Sequence, residues 1–153
     1  MARRTALDGS IEALDTSSLD GLLGYDVRRA SLAMTEAFAR RMAPLELGPV
    51  LFTILLLVCG NPGITASQLG SLLDLHSSNL VGMVKQLTER GLIDRRPHPD
   101  DVRALGLYPT AQGQSLARKA RAVAQEADRD GTAGLSPEER ATLSRLLRRL
   151  YRG

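Results

Sequence analysis

The chain has 153 residues, 43% hydrophobic and 24% charged, with a net charge of +3. That length supports one domain with room for an oligomerisation extension, and the balance is globular rather than disordered. Aromatic residues make up only 3% and tryptophan is absent, so the core must be aliphatic; abundant Leu and Ala favour helices over a β-sandwich.

The first segment, residues 1–18, is polar and weakly patterned and reads as a flexible N-terminal arm; it lacks the apolar core of a signal peptide. From Leu19 to Met42 the apolar residues Leu19, Leu22, Leu23, Val27, Ala30, Ala33, Met34, Ala37 and Phe38 recur at helical spacing, and Pro44 ends the pattern. Pro49 suits the first turn of a second helix reaching Cys59. Its apolar stretch, Val50 to Cys59, is far short of the roughly 18–20 residues of a membrane span. Near-uniform apolarity instead predicts burial on every side. The cytoplasm is the expected compartment, and no membrane partner is expected.

After the break at Gly60-Asn61-Pro62-Gly63, Thr65 with Gln68 forms a capping-box pattern. It opens a short helix with Leu69, Leu72 and Leu73 as its expected inward face. Asp74-Leu75-His76 turns the chain into another helix, starting at His76 or Ser77. There Leu80, Met83, Val84 and Leu87 cluster on one side, while Ser78, Gly82, Lys85 and Glu89 form the other, flanked by Val81 and Gln86. Gly91 is the expected C-cap.

Leu92–Arg96 and Arg103–Tyr108 read as two strands around the tip 97–102, where two prolines are expected to prevent further pairing. Thr110 caps a long helix, interrupted at Gly131-Thr132-Ala133-Gly134. Ser136-Pro137-Glu138-Glu139 opens a last helix striped with Leu143, Leu146, Leu147, Leu150 and Tyr151. The fold class is therefore mainly α with a small β-hairpin wing: a winged helix-turn-helix with N- and C-terminal dimerisation helices. The division expected is an arm at 1–18, a winged DNA-binding domain at 45–109, and a helical dimerisation region at 19–44 and 110–153. Apolar stripes on both terminal regions need burial, which two copies packed about a two-fold axis would supply.

A helix and a wing of this kind suit double-stranded DNA, the helix in the major groove and the hairpin on backbone or minor groove. The candidate contacts are Ser77, Ser78, Asn79, Gly82, Lys85 and Gln86 on the helix, and Arg95, Arg96, Asp101 and Arg103 on the wing. Asn79 and Gln86 could each pair with adenine, although Asn near a helix start is also an ordinary cap residue. Lys85 most simply neutralises a phosphate. Gly82 allows close approach to the groove or is merely tolerated, and both readings stand. Asp101 and Arg103 could form no more than an exposed ion pair, but with Arg95 and Arg96 beside them the cations exceed what solubility needs. His76 and His98 could touch phosphate and are too few for a metal site.

The run Leu87-Thr88-Glu89-Arg90-Gly91-Leu92-Ile93, then Arg95-Arg96, then Pro99-Asp100-Asp101-Val102-Arg103-Ala104 and Thr110-Ala111-Gln112-Gly113 resembles the MarR family of bacterial transcriptional regulators. The order of elements is similar along the whole chain. The resemblance implies a homodimer that binds a pseudo-palindromic operator, with repression relieved by a small organic effector, phenolic or carboxylate, or by thiol oxidation. It also implies that Asp101 orients a wing arginine. Three positions depart from the family pattern: Val102 stands where a second wing arginine is common, and Val81 and Gly82 stand where a Thr and an Arg are common.

An effector pocket is placed by position alone at Tyr25, Arg28, Arg29, Ser31, Met34 and Phe52. No cofactor, metal or catalytic residues are expected: hydrolase elbows, phosphate-binding glycine loops and zinc-protease motifs do not occur, and Asp100-Asp101 lacks the buried geometry of an acid–base pair. Two alternatives remain open. One is a winged-helix protein-interaction module without an operator; the other is a redox-sensing regulator using Cys59, against which stands that cysteine's place on an apolar helix.

Overall fold

The computed structural model describes residues 15–98 and 101–152, with residues 101–103 described by backbone alone. The expected arm therefore lies mostly outside the described residues. The chain divides into two compact units, up to Ala33 and from Met34 onward, and the boundary falls inside the first long helix, α1 (Leu23–Met42). In the first unit a 3-10 turn at Ser17–Leu19 precedes α1, so the helix begins four residues later than the apolar spacing predicts. Leu22, Leu23, Val27 and Leu32 are exposed there.

The second unit carries the core. After α1 a 3-10 turn at Ala43–Leu45 accommodates Pro44, and α2 (Pro49–Gly60) begins on its proline as expected. Only Ile54, Leu55 and Val58 of α2 are fully buried, and most of its other side chains are half-covered. Burial on every side is thus corrected to burial of one face with partial cover elsewhere. Next come β1 (Ile64–Thr65), α3 (Ala66–Leu73), α4 (Ser77–Glu89), β2 (Ile93–His98), β3 (Asp101–Pro109), α5 (Ala111–Gly131) and α6 (Pro137–Arg152).

The core joins Met42, Leu45 and Leu47 to Ile54, Leu55 and Val58 of α2, Leu69 of α3, Leu80, Val84 and Leu87 of α4, and Leu107 of β3. Ala117 and Ala120 close it from α5. Small residues there let α5 lie close, and Gly113 carries this furthest. A Cβ at Gly113 would run into the Leu92 carbonyl, so only glycine fits where α5 crosses the start of the wing. Arg41 ties the end of α1 to α5, donating to Asp130 at 2.7 Å and to Glu126 at 3.0 Å. That pairing holds the Asp130 carboxyl below its usual range, the hydrogen bond from Arg41 being the largest cause.

The sheet is antiparallel, in the order β1-β3-β2. β1 was not expected; it pairs Ile64 with Leu107 and Thr65 with Gly106. The wing strands also run closer to the tip than anticipated. Pro97 pairs with Leu105, and the register slips only between Pro97 and His98. The expectation that the prolines stop pairing is corrected for Pro97, because β2 is an edge strand and a proline there gives up no ladder donor that the sheet needs.

Candidate nucleic-acid interface

The helix-turn-helix is built by local signals. Thr65 caps α3: its Oγ1 accepts from the Gln68 N–H at 3.2 Å, while Gln68 Oε1 accepts from the Thr65 N–H at 2.9 Å. Asp74 ends α3 in the left-handed region (φ 50°), and the Leu75 N–H closes the turn onto the Gly70 carbonyl at 3.1 Å. Leu80, Val84 and Leu87 then anchor α4, with Met83 half-buried beside them. Leu72, expected inside, is 63% exposed: α3 has one buried side chain, Leu69, and its helical phase carries Leu72 past the core.

With that face anchored, α4 turns Ser77, Ser78, Asn79, Val81, Gly82, Lys85, Gln86 and Glu89 to the exterior. Ser78, Val81, Gly82 and Lys85 follow i, i+3, i+4, i+7 spacing and so share one stripe. Lys85 reaches Glu89 at 3.6 Å, one turn on. Apart from its chain neighbours and the backbone of its own helix, no heavy atom lies within 4 Å of where a Cβ on Gly82 would stand, so the middle of the stripe is open.

Helix α4 ends at Glu89, and Gly91 takes the positive φ (66°) that swings the chain into the wing. Arg90 does structural work here, donating to the carbonyls of Glu46 at 2.7 Å and Leu45 at 2.9 Å. At the far end of the sheet the Thr110 hydroxyl donates to the Gly91 carbonyl at 2.7 Å and accepts from the Gly113 N–H at 3.0 Å. One threonine thus caps α5 and closes the base of the wing.

The two wing arginines of β2 lie on opposite faces, as adjacent strand residues must. Arg96 is engaged within the wing: it pairs with Asp94 at 2.9 Å and its guanidinium lies 5.3 Å from the centre of the Tyr108 ring. Arg95 is on the side of α4. With Thr65 and Ser67, Val81, and Leu105 it walls an open cleft of about 350 Å³ between the helix-turn-helix and the wing. Asp101 and Arg103 belong to β3 by their backbone, and their side chains lie outside the described residues. The structure therefore aligns Ser78, Gly82 and Lys85 in one stripe and sets Arg95 across the cleft from Val81, the stripe residue that lines it. Val81 and Leu105 were not among the expected contacts; the i, i+3 step from Ser78 to Val81 was the available signal.

The positions suggested for an effector divide between the units. Tyr25 is half-buried and Arg28, Arg29 and Ser31 are exposed in the first. In the second, Phe52 packs edge-on against Phe38 with ring centres 5.3 Å apart. Met34 borders a groove of about 400 Å³ with Leu143, Leu147 and Tyr151 of α6. Cys59 is half-buried, and burial pushes its thiol above the ordinary value despite the opposing charge of Arg118. A raised thiol carries less thiolate at neutral pH, the reverse of what a redox sensor uses. Among the described residues no group of His, Cys, Asp and Glu could hold a metal ion, and no single helix is long and apolar enough to cross a membrane.

A capped helix-turn-helix running into an antiparallel hairpin, with an exposed polar stripe and an arginine across a shared cleft, defines a winged helix-turn-helix DNA-binding protein. Residues 47–105 match the sequence profile of the MarR family. A putative transcriptional regulatory protein for the hcr operon of Thauera aromatica is 42% identical over 137 residues, covering 88% of this chain and 82% of that relative. Among solved structures, the transcriptional repressor CouR bound to a 23-mer DNA duplex is similar at TM-score 0.84 and 32% identity, covering 90% of this chain and 98% of that one. A MarR-family protein of Mycobacterium tuberculosis in complex with salicylic acid is similar at TM-score 0.71 and 25% identity, covering 86% and 97%. The chain belongs to the MarR family and is a transcriptional regulator.

Proposed function

We propose that the chain is a repressor that binds a pseudo-palindromic operator as a homodimer in the cytoplasm and is released by a small phenolic or carboxylate effector. The observation that carries this reading is the open cleft across which Arg95 of the wing faces Val81 of the α4 stripe. In B-DNA a phosphate backbone separates the major groove from the minor. A recognition helix on one side of that backbone and a wing on the other straddle it, with Arg95 supplying positive charge from the wing side. Residues 45–109 form the DNA-binding domain in this reading. Ser77, Asn79 and Gln86 sit at the edges of the stripe, and Asp101 and Arg103 extend the wing.

Residues 19–44 and 110–153 would form the dimer. On α6 the side chains of Leu146, Leu147, Leu150 and Tyr151 are all exposed along one stripe, an apolar face that a second copy would cover. Two-fold pairing would place the α4 helices about 34 Å apart, one turn of DNA. The salicylic acid bound by the mycobacterial relative supports an aromatic carboxylate as the effector class. No arrangement of groups for chemical catalysis is needed for any of this.

The test is titration of a promoter-region duplex against a scrambled one at two salt concentrations. Preference for the promoter duplex at two chains per site supports the reading. Equal binding of both duplexes overturns it in favour of a protein-interaction module. Arg95→Ala should weaken binding to both duplexes and flatten the salt dependence by about 0.9 log–log units for each phosphate it leaves without a cation. An unchanged slope would remove Arg95 from the interface.

A further inference from the structure

We infer that Val81 reads the C5-methyl group of a thymine in the major groove, so that apolar complementarity helps to set operator choice. This rests on the regulator reading and deepens it by naming a specificity-determining residue. Val81 is 54% exposed on a helix whose other large aliphatic residues, Leu80, Val84 and Leu87, are buried. A lone exposed valine is ordinary; this one stands in the stripe Ser78, Val81, Gly82, Lys85, and nothing polar competes with it in the middle turn. Gly82 has no side chain and opens on empty space, so the helix can lie close to base edges. Lys85 is drawn one turn away to Glu89.

The middle of the recognition helix therefore presents two methyl groups and neither a donor nor an acceptor. In a helix valine holds one dominant rotamer, so those methyls are already positioned and ordering them costs little. On the base edges of the major groove, the thymine methyl is the apolar feature; every other readable group is a donor or an acceptor. Across the cleft Leu105, also 53% exposed, extends the apolar surface toward the wing.

The experiment begins with duplexes selected from a random library by the purified full-length chain. Each thymine of the selected site is then replaced singly by deoxyuridine, which removes the methyl and leaves base pairing intact. Dissociation constants are measured for the wild type, Val81→Ala and Val81→Ile. The expected result is one thymine per half-site at which deoxyuridine costs the wild type about fourfold, the worth of one buried methyl group. Val81→Ala, which alters both half-sites of the dimer, should bind the thymine duplex more weakly by a similar factor in each half-site and no longer distinguish the two bases there, while Val81→Ile keeps the distinction. Indifference of the wild type to deoxyuridine at every position would overturn the inference, as would undiminished discrimination by Val81→Ala. Failure to select any sequence over scrambled DNA would overturn the regulator reading, and this inference with it.

Discussion

Gly82→Ala should move stability and DNA affinity in opposite directions, and the structure supplies both signs. Gly82 lies inside α4 with an ordinary negative φ, and beyond its chain neighbours and its own helix backbone nothing stands within 4 Å of the position a Cβ would take. Alanine therefore fits without strain. In a helix interior it should gain about 0.5–1 kcal/mol over glycine, mostly by restricting the unfolded chain. For a chain of this length that is a rise of about 1–4 °C in melting temperature. On DNA the same methyl occupies the space through which the helix would approach the bases. Overpacking of a fitted surface costs about 1–3 kcal/mol, so even the lower limit is about a fivefold loss of affinity in each half-site. The assay pairs a thermal melt at fixed protein concentration with a titration of the selected operator at one salt concentration. Higher stability with unchanged or tighter DNA binding would refute the close-approach reasoning and leave Gly82 as a tolerated residue. A lower melting temperature would refute the stability argument itself.

Gly113→Ala is expected to be severe, because its Cβ would meet the Leu92 carbonyl and force α5 away from the wing; about 2–4 kcal/mol should be lost, read as a lower urea midpoint. An unchanged midpoint would mean that the wing and α5 are not packed this closely. Asp130→Asn tests the clamp on Arg41. Because the folded-state pKa of Asp130 is depressed, its carboxylate stabilises the fold above the unfolded value of about 3.9, and that contribution disappears as pH falls through the lower folded value. The gap in urea midpoint between the wild type and Asp130→Asn should be full near pH 7 and close in acid. A gap that persists unchanged below the carboxylate range would exclude the ion pair as its source.

Features decided within a few residues were legible beforehand. The capping boxes at Thr65/Gln68 and Ser136/Glu139 form as their spacing indicates, Thr110 caps α5, and Gly91 takes the positive φ that leaves α4. Each satisfies helix-end donors or a turn geometry from neighbouring residues, so its energy depends little on the remainder of the fold. The recognition stripe was legible for a related reason: a 3.6-residue period separates Leu80, Val84 and Leu87 from Ser78, Gly82 and Lys85.

Sequence by itself thus determined the order of the helices, the hairpin and the outward face of α4. Tertiary structure decided what each face meets. β1 is two residues long, and Ile64 and Thr65 become a strand only because Leu107 and Gly106 lie alongside. Pro97 stays paired because its strand is at the sheet edge, which no local pattern reveals. Leu72 fits the apolar period of α3 but points outward, since one short helix offers the core only a single deep contact. Arg95 and Arg96 are identical by composition and adjacent in the chain; Asp94 and Tyr108 occupy one, and the cleft beside Val81 receives the other. Side-chain chemistry and period are local properties, whereas which of two equivalent groups is left unengaged depends on contacts between residues distant along the chain.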